Sequence, residues 1–116
     1  MKLEDLAEDF AQNVSAQTDA IWNGDAKTGN KHAKRYVAAY KKLCEHGDPG
    51  RDALALLLGH SRMDVRVKAA IYLLSERPKQ ALPVLEEAAK NKGMVPFEAS
   101  QVLKYWNEGT WSLDVD

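Results

Sequence analysis

Three histidines and one cysteine are the side chains of this sequence most suited to chemistry at neutral pH. His32, His46 and His60 follow one another at intervals of 14 residues, and an imidazole binds metal ions or transfers protons. A metal site needs ligands that share one face or loop, such as two histidines four apart on a helix, and the sequence has no such pair. Cys44 and His46 are two residues apart, so they do not face each other on a helix. The sequence therefore predicts no catalytic residue, no metal site and no cofactor.

The segment NGDAKTGNK, residues 23–31, holds two glycines and a lysine, which are components of phosphate-binding loops. Such a loop follows a β-strand and has the spacing GxxxxGK[ST], and neither condition is met here. Carboxylates of the first segment, such as Glu4 and Asp9, have no predicted pocket that would adjust their pKa for acid–base work. We therefore predict that the protein is not an enzyme and that residues 23–30 form a loop.

Composition is typical of a soluble globular protein. The chain has 116 residues, of which 45% are hydrophobic and 28% charged, and its formal net charge is −1. A single cysteine, Cys44, cannot form an intramolecular disulfide, which favours a reducing compartment. No apolar run approaches the roughly 20 residues that cross a bilayer. We expect a cytoplasmic protein without a membrane segment.

Charge is distributed unevenly along the chain. Residues 1–24 carry five acids and one lysine, whereas residues 25–47 carry six basic residues and two acids. Two adjacent helices with these charges would compensate each other; alternatively, the second forms a basic ridge for an acidic partner or a phosphate backbone. The candidate partner-binding residues are Lys31, Lys34, Arg35, Lys42 and Trp111. Trp111 lies outside any predicted helix, where it either contacts a partner or covers the end of the last helical hairpin.

Apolar residues recur every three or four positions through most of the chain, which is the spacing of amphipathic helices. The first helix is marked by Leu3, Leu6, Phe10, Val14 and Ile21. The second runs from about Lys31 to Glu45, and four shorter helices follow. The third, RDALALLLGH, is apolar enough to be buried on most sides, and Ser61 with Asp64 resembles a capping box before the fourth. The pattern predicts an all-α protein of about six antiparallel helices, with the first pair longest.

An internal repeat favours three stacked helical hairpins. A shift of 28 residues places Ala53, Leu54 and Leu57 on Ala81, Leu82 and Leu85. A shift of 30 residues places Ala69 and Leu73 on Ala99 and Leu103. The two-residue difference falls in a loop, where insertions are tolerated. We predict one helical domain over residues 1–109 and a C-terminal tail over residues 110–116.

The segment DVRVKAAIYL, residues 64–73, resembles the second helix of a HEAT-type repeat through its pattern D-V-R-x-x-A-A-x-x-L. The whole chain, including AQTDAIWNGDAKTGNK and LLGHSRMDVRVKAA, is similar to a small bacterial family of single-domain proteins with no assigned function. This resemblance implies a HEAT-like α–α superhelix and nothing firm about activity. HEAT-like repeats in general imply binding of another protein through a concave or edge surface.

Arg66 lies on the apolar side of the predicted fourth helix. Its neighbours on a helical wheel are Ala69, Ala70 and Leu73. A half-buried guanidinium needs a partner, because an unpaired one costs several kcal/mol. We expect a carboxylate on a neighbouring helix: Asp52 or Glu86, with Asp48 and Glu98 as further candidates. Alternatively, Arg66 lines a concave surface and binds a partner's carboxylate or phosphate.

Together these patterns favour a non-enzymatic module that binds another protein. By analogy with small bacterial helical-repeat proteins that neutralise toxins, an inhibitory or toxin-neutralising role is one form of such binding. The alternative is a nucleic-acid-binding helical-repeat protein that uses the basic second helix, which the net charge of −1 disfavours. A second copy of the chain is a further candidate partner.

Overall fold

The computed structural model describes residues 2–113, which form six α-helices and one 3₁₀ helix and, within that range, no β-strand. The α-helices are α1 (Leu3–Trp22), α2 (Ala26–Glu45), α3 (Asp48–Ala55), α4 (Met63–Leu73), α5 (Pro78–Ala89) and α6 (Met94–Asn107). The 3₁₀ helix, Leu56–Gly59, follows α3 directly. The prediction of an all-α protein of about six helices, with the first pair longest, is confirmed.

The chain forms two compact units, Met1–Leu57 and Leu58–Asp116. Helices α1, α2 and α3 pack together in the first unit, and α4, α5 and α6 pack together in the second. Units of this size occur both as halves of one domain and on their own, so the single domain over residues 1–109 stays a prediction. Of the predicted tail, residues 110–113 are not helical, and residues 114–116 lie outside the described range.

Helices α1 and α2 form an antiparallel hairpin. Far from the connecting loop, the rings of Phe10 and Tyr36 meet edge to face, with centroids 5.6 Å apart and planes inclined by 67°. Nearer the loop, Gly29 of α2 lies beside α1, where a Cβ on this residue would be 3.4 Å from Ile21 Cγ1. Contacts therefore move to lower numbers on α1 as they move to higher numbers on α2, which defines the antiparallel arrangement.

Helix α2 begins at Ala26, well before the predicted start at Lys31, because Asp25 caps it. The Asp25 carboxylate accepts hydrogen bonds from the Thr28 backbone N–H at 3.1 Å and from the Thr28 hydroxyl at 2.7 Å. These two bonds lower the pKa of Asp25, and the Thr28 hydroxyl contributes more than the Thr28 N–H. Desolvation raises the pKa slightly, and the charge of Lys31 lowers it slightly. The predicted loop over residues 23–30 is therefore wrong for residues 26–30, which are helical.

Helix α3 begins against the backbone of α2, and Gly50 makes this approach possible. Pro49 occupies the first turn of α3, where the fixed φ angle and the missing N–H of proline suit a helix start. A Cβ on Gly50 would lie 2.7 Å from the carbonyl carbon of Leu43 and closer still to the carbonyl oxygen. Both atoms belong to the helix backbone, which cannot rotate away as a side chain would. The glycine is therefore required by space, and not by an unusual φ angle.

Burial is concentrated on α4, where eight of the eleven residues are buried. We expected this pattern for the segment RDALALLLGH, residues 51–60, but Leu56 in its middle is 77% exposed. Ala53 and Leu54 lie four and three positions before Leu57, and all three are buried. The segment therefore has one buried side, and Leu56 lies outside it.

The start of α4 also differs from its prediction. Its N-cap residue is Arg62, whose side chain makes no capping hydrogen bond, so the predicted capping box of Ser61 with Asp64 is wrong. Asp64 is buried, with 8% of its surface exposed, and its carboxylate accepts bonds from Arg62 Nε at 3.1 Å and Nη2 at 3.0 Å. This two-pronged pair satisfies a carboxylate that would otherwise be costly to bury.

Candidate functional site

A groove runs along one side of the α1–α2 hairpin, and we call it the hairpin groove. Its volume is about 510 Å³. Its lining residues are Leu6, Asp9, Gln12, Asn13 and Ala16 of α1, and His32, Arg35, Ala38, Ala39 and Lys42 of α2. Within each helix these positions advance by steps of mostly three or four, so each set forms one helix face. The groove is therefore formed by both helices of the hairpin, one face from each.

A polar contact joins the two walls of the hairpin groove. His32 Nδ1 lies 2.9 Å from Asn13 Oδ1, and Asn13 Nδ2 donates to the Asp9 carbonyl oxygen at 2.8 Å. The amide nitrogen is thus turned towards the carbonyl and the amide oxygen towards the imidazole. Because an amide oxygen only accepts, the ring donates from Nδ1, and Nε2 of a neutral His32 remains an acceptor. This contact fixes the orientation of the imidazole in the groove.

Two of the predicted partner-binding residues, Arg35 and Lys42, lie in the hairpin groove. Both side chains are exposed. Within residues 2–113, neither has a carboxylate within ion-pairing distance, although Asp9 lines the opposite wall. The acids of α1 therefore do not neutralise these two cations by direct pairing. The groove combines two cationic groups with an apolar floor that includes Leu6 and Ala39, which are both buried.

The other two basic candidates lie elsewhere on α2. Lys31 and Lys34 are exposed, but neither lines the hairpin groove. Lys34 is seven residues from both Lys27 and Lys41, which are also exposed, and this spacing places the three lysines on one face of the helix. The basic helix thus has a groove side with Arg35 and Lys42 and a separate lysine face.

Trp111 lies beyond the end of α6 in a half-buried position. Its indole Nε1 is inaccessible to solvent and has no hydrogen-bond partner within the described part of the chain. An exposed anchor for a partner would present this donor to solvent, so the burial favours the covering role. Direct contact of Trp111 with a partner stays a prediction.

Arg66 has different contacts from those predicted. It is half-buried, as its place on the apolar side of α4 indicates. Its Nη1 donates to the carbonyl oxygens of His60 at 2.8 Å and Ser61 at 3.0 Å, in the segment that precedes α4. The observed partners are therefore backbone carbonyls, and not the carboxylate of Asp52 or Glu86 that we predicted. Carbonyl oxygens carry no net charge, so these two contacts do not neutralise the guanidinium.

Another cation of α4 does form an ion pair between helices of the second unit. Lys68 Nζ donates to Glu98 Oε2 of α6 at 3.0 Å. The Lys68 side chain is 16% exposed and the Glu98 side chain 44%, so one end of this pair is shielded from solvent and the other is not. Glu98, which we considered as a partner of Arg66, thus contacts a different basic residue of α4.

The structure describes no metal-binding cluster or membrane span. Within residues 2–113, no three His, Cys, Asp or Glu side chains are grouped so that they could hold a metal ion. Among the helices described, none is both long and apolar enough to cross a bilayer.

Helix α6 exposes an apolar stripe that sequence analysis does not identify. Met94, Phe97 and Tyr105 are 45%, 64% and 45% exposed, and their spacing places them on one face of the helix. Apolar residues at helical spacing normally indicate burial, which is why the pattern alone points to the core. The sequence does hold one indication of the exposed stripe, because the apolar residues of α6 occupy more of the helix surface than one buried face requires.

Comparisons with known proteins bear on the fold. No protein-family model matches the chain, and no curated protein matches it. A similar solved structure is the crystal structure of the protein RPA1889 from Rhodopseudomonas palustris CGA009. The match has a TM-score of 0.91 at 25% sequence identity and covers 98% of this chain and 95% of that one. This arrangement of helices is therefore shared with that protein.

Proposed function

We propose that this protein is a non-enzymatic interaction module that binds an acidic segment of another protein in the hairpin groove. The observation that carries the proposal is that Arg35 and Lys42 line the groove with no carboxylate in ion-pairing distance within residues 2–113. A bound acidic segment would supply the missing carboxylates. Arg35 suits this role because its planar guanidinium binds a carboxylate through two parallel hydrogen bonds.

The two walls of the groove make different contributions to binding. The α2 wall carries the cations, so acidic side chains are favoured there, whereas Asp9 on the α1 wall favours a hydrogen-bond donor. His32 also lines the groove, with its ring orientation set by the contact with Asn13. Exposed ion pairs contribute only about 0–1 kcal/mol each, so burial of apolar groups on the floor must supply much of the affinity.

The wider proposal is a cytoplasmic module built from HEAT-like helical hairpins. The repeated alanine and leucine positions and the packing of α1 against α2 and of α5 against α6 support this architecture. Inhibition or toxin neutralisation is the concrete form that we propose for the binding, because a small module without catalytic groups acts by occupying its partner's surface. In that case occupation of the hairpin groove and loss of the partner's activity should coincide.

The test compares two charge-reversed double variants as baits in pull-downs from the native host. Arg35→Glu/Lys42→Glu alters the groove, and Lys27→Glu/Lys41→Glu makes the same change of charge on the lysine face of the same helix. We expect a partner that is retained by the wild type and by the second variant and is lost with the first. A partner retained equally by all three baits would contradict binding in the groove.

Nucleic-acid binding predicts a different pattern. A phosphate backbone on α2 would be contacted by the lysine face as well as by Arg35, so both double variants would lose affinity for a fluorescent DNA duplex. The affinity would also fall steeply with salt concentration. An absence of binding to duplex DNA at low salt, together with a groove-dependent protein partner, would exclude this alternative and support the proposal.

A further inference from the structure

A second groove, in the unit Leu58–Asp116, lies between α5 and the segment around the start of α4. We call it the arginine groove, and its volume is about 330 Å³. Its apolar wall includes Leu58, Met63, Pro83 and Val84, and its charged residues are Arg66 and Glu87. All eight residues that line it belong to this unit. The arginine groove therefore shares no residue with the hairpin groove. An inference about its ligand does not depend on the proposed function.

Arg66 is held in the arginine groove in an orientation that leaves one edge of its guanidinium available. Both hydrogen bonds to the carbonyls of His60 and Ser61 come from Nη1, which has two hydrogens. In the part of the chain that the structure describes, Arg66 makes no further hydrogen bond or ion pair. The remaining donors, Nε–H and the two hydrogens of Nη2, form the edge that binds a carboxylate through two parallel bonds. The carbonyls thus immobilise the group without neutralising it.

The rest of the groove restricts what that edge can bind. Most of its lining is apolar, so a ligand gains from an aliphatic or aromatic body beside its charged group. Glu87 on the same lining repels a second negative charge, and its contact with Lys90 at 3.3 Å is solvent-exposed. The volume lies at the lower end of the range of small-molecule sites, which is roughly 300–1,000 Å³. These features select a small ligand with one negative charge and an apolar body.

We infer that the arginine groove binds a small organic monocarboxylate with a short apolar chain. The carboxylate pairs with the Nε–Nη2 edge of Arg66, and the chain lies against Met63, Pro83 and Val84. Phosphates and dicarboxylates bind more weakly, because Glu87 opposes the additional charge.

The experiment is an NMR titration of the full-length protein with sodium acetate, butyrate and hexanoate, followed at the Nε–Hε resonance of Arg66. We expect this resonance to shift more than those of the other arginines. We also expect each added methylene to raise the affinity about fourfold, as apolar burial predicts. Hexanol and hexylamine, which have the same chain without the anion, should leave the resonance in place.

Variants test the assigned roles of the two charged residues. Arg66→Lys keeps the charge but lacks the two-pronged edge, and we expect about a tenfold or greater loss of hexanoate affinity. Glu87→Gln removes the repulsion, and hexanoate should bind about two- to fivefold more tightly. Arg77→Lys, a matched change outside the groove in the same unit, should leave the affinity unchanged.

Three results would overturn the inference. The first is equal binding of hexanoate and hexanol, and the second is affinity that does not depend on chain length. The third is binding of a peptide with an apolar C-terminal residue in the absence of any binding of the free carboxylates, which would assign the groove to a protein partner. If Arg66→Lys does not fold, the wild-type titration and Glu87→Gln still decide the question.

Discussion

The substitution Gly50→Ala tests whether α3 is held against the backbone of α2. The added Cβ would lie 2.7 Å from the Leu43 carbonyl carbon, 3.2 Å from Leu43 Cα and closest of all to the Leu43 carbonyl oxygen. None of these atoms can move without moving the helix itself. The N-terminal turn of α3 must therefore shift away from α2, and the buried contacts of this corner must loosen.

The expected magnitude follows from two opposing effects. Overpacking a closely packed site usually costs about 1–3 kcal/mol, and a clash with backbone on a rigid helix belongs at the upper end of that range. Alanine has a higher helix propensity than glycine, which offsets about 1 kcal/mol. The net loss is about 2 kcal/mol in the free energy of unfolding. For a chain of this size that corresponds to a decrease in Tm of about 8 °C.

Thermal unfolding followed by circular dichroism measures this effect against two other glycines. A Cβ at Gly59 would meet no atom within 4 Å, so Gly59→Ala should leave the Tm unchanged or slightly raised. A Cβ at Gly29, inside α2, would make an ordinary contact at 3.4 Å, so Gly29→Ala should be close to neutral. A Tm for Gly50→Ala equal to or above the wild-type value would refute the reasoning.

Three further predictions concern a helix cap, an ion pair and the two phenylalanines. The pKa of Asp25 is lowered in the folded protein, so its carboxylate stabilises the fold fully above the ordinary pKa, near 4. This contribution is lost as pH falls through the lower folded-state pKa. The Tm of Asp25→Asn should therefore vary less between about pH 6 and pH 2 than the Tm of the wild type. Replacement of Arg62 by Met removes the two-pronged partner of the buried Asp64 carboxylate, and because the arginine side chain is 42% exposed we expect a loss of about 1–2 kcal/mol in urea unfolding. Phe10 is fully buried and Phe97 is 64% exposed, so Phe10→Ala should cost about 3–5 kcal/mol in the same assay, whereas Phe97→Ala should change stability by less than about 0.5 kcal/mol.

The spacing of apolar residues predicts the helices well, but it does not show that Gly29 and Gly50 belong to them. Leu6, Phe10 and Val14 are all buried on one face of α1, as their spacing indicates. Gly29 lies in the predicted loop over residues 23–30, and Gly50 lies just before the predicted third helix, yet both are buried within helices. Glycine occurs both where the backbone needs an unusual φ angle and where another helix approaches too closely for a Cβ. Sequence alone does not distinguish these two requirements.

The site residues illustrate a similar limit. The half-buried position of Arg66 follows from the pattern of α4, but its partners are backbone carbonyls, which every residue has and which no sequence pattern identifies. Arg35 and Lys42 are predicted as partner-binding residues together with Lys31 and Lys34. Only the rotation of α2 against α1 shows that the first two line a groove and the last two do not.

The short loop of the α1–α2 hairpin has a consequence for how the chain folds. Its cross-helix contacts, such as those of Phe10 with Tyr36 and of Asn13 with His32, all lie within the first unit. Helical proteins have low contact order, because most of their contacts lie within helices or between successive helices, and they fold within microseconds to milliseconds. A ribosome adds about 5–20 residues per second, so synthesis of residues 58–116 takes about 3–12 s. The first unit, which ends at Leu57, thus has ample time to bring its helices together before the second has been synthesised.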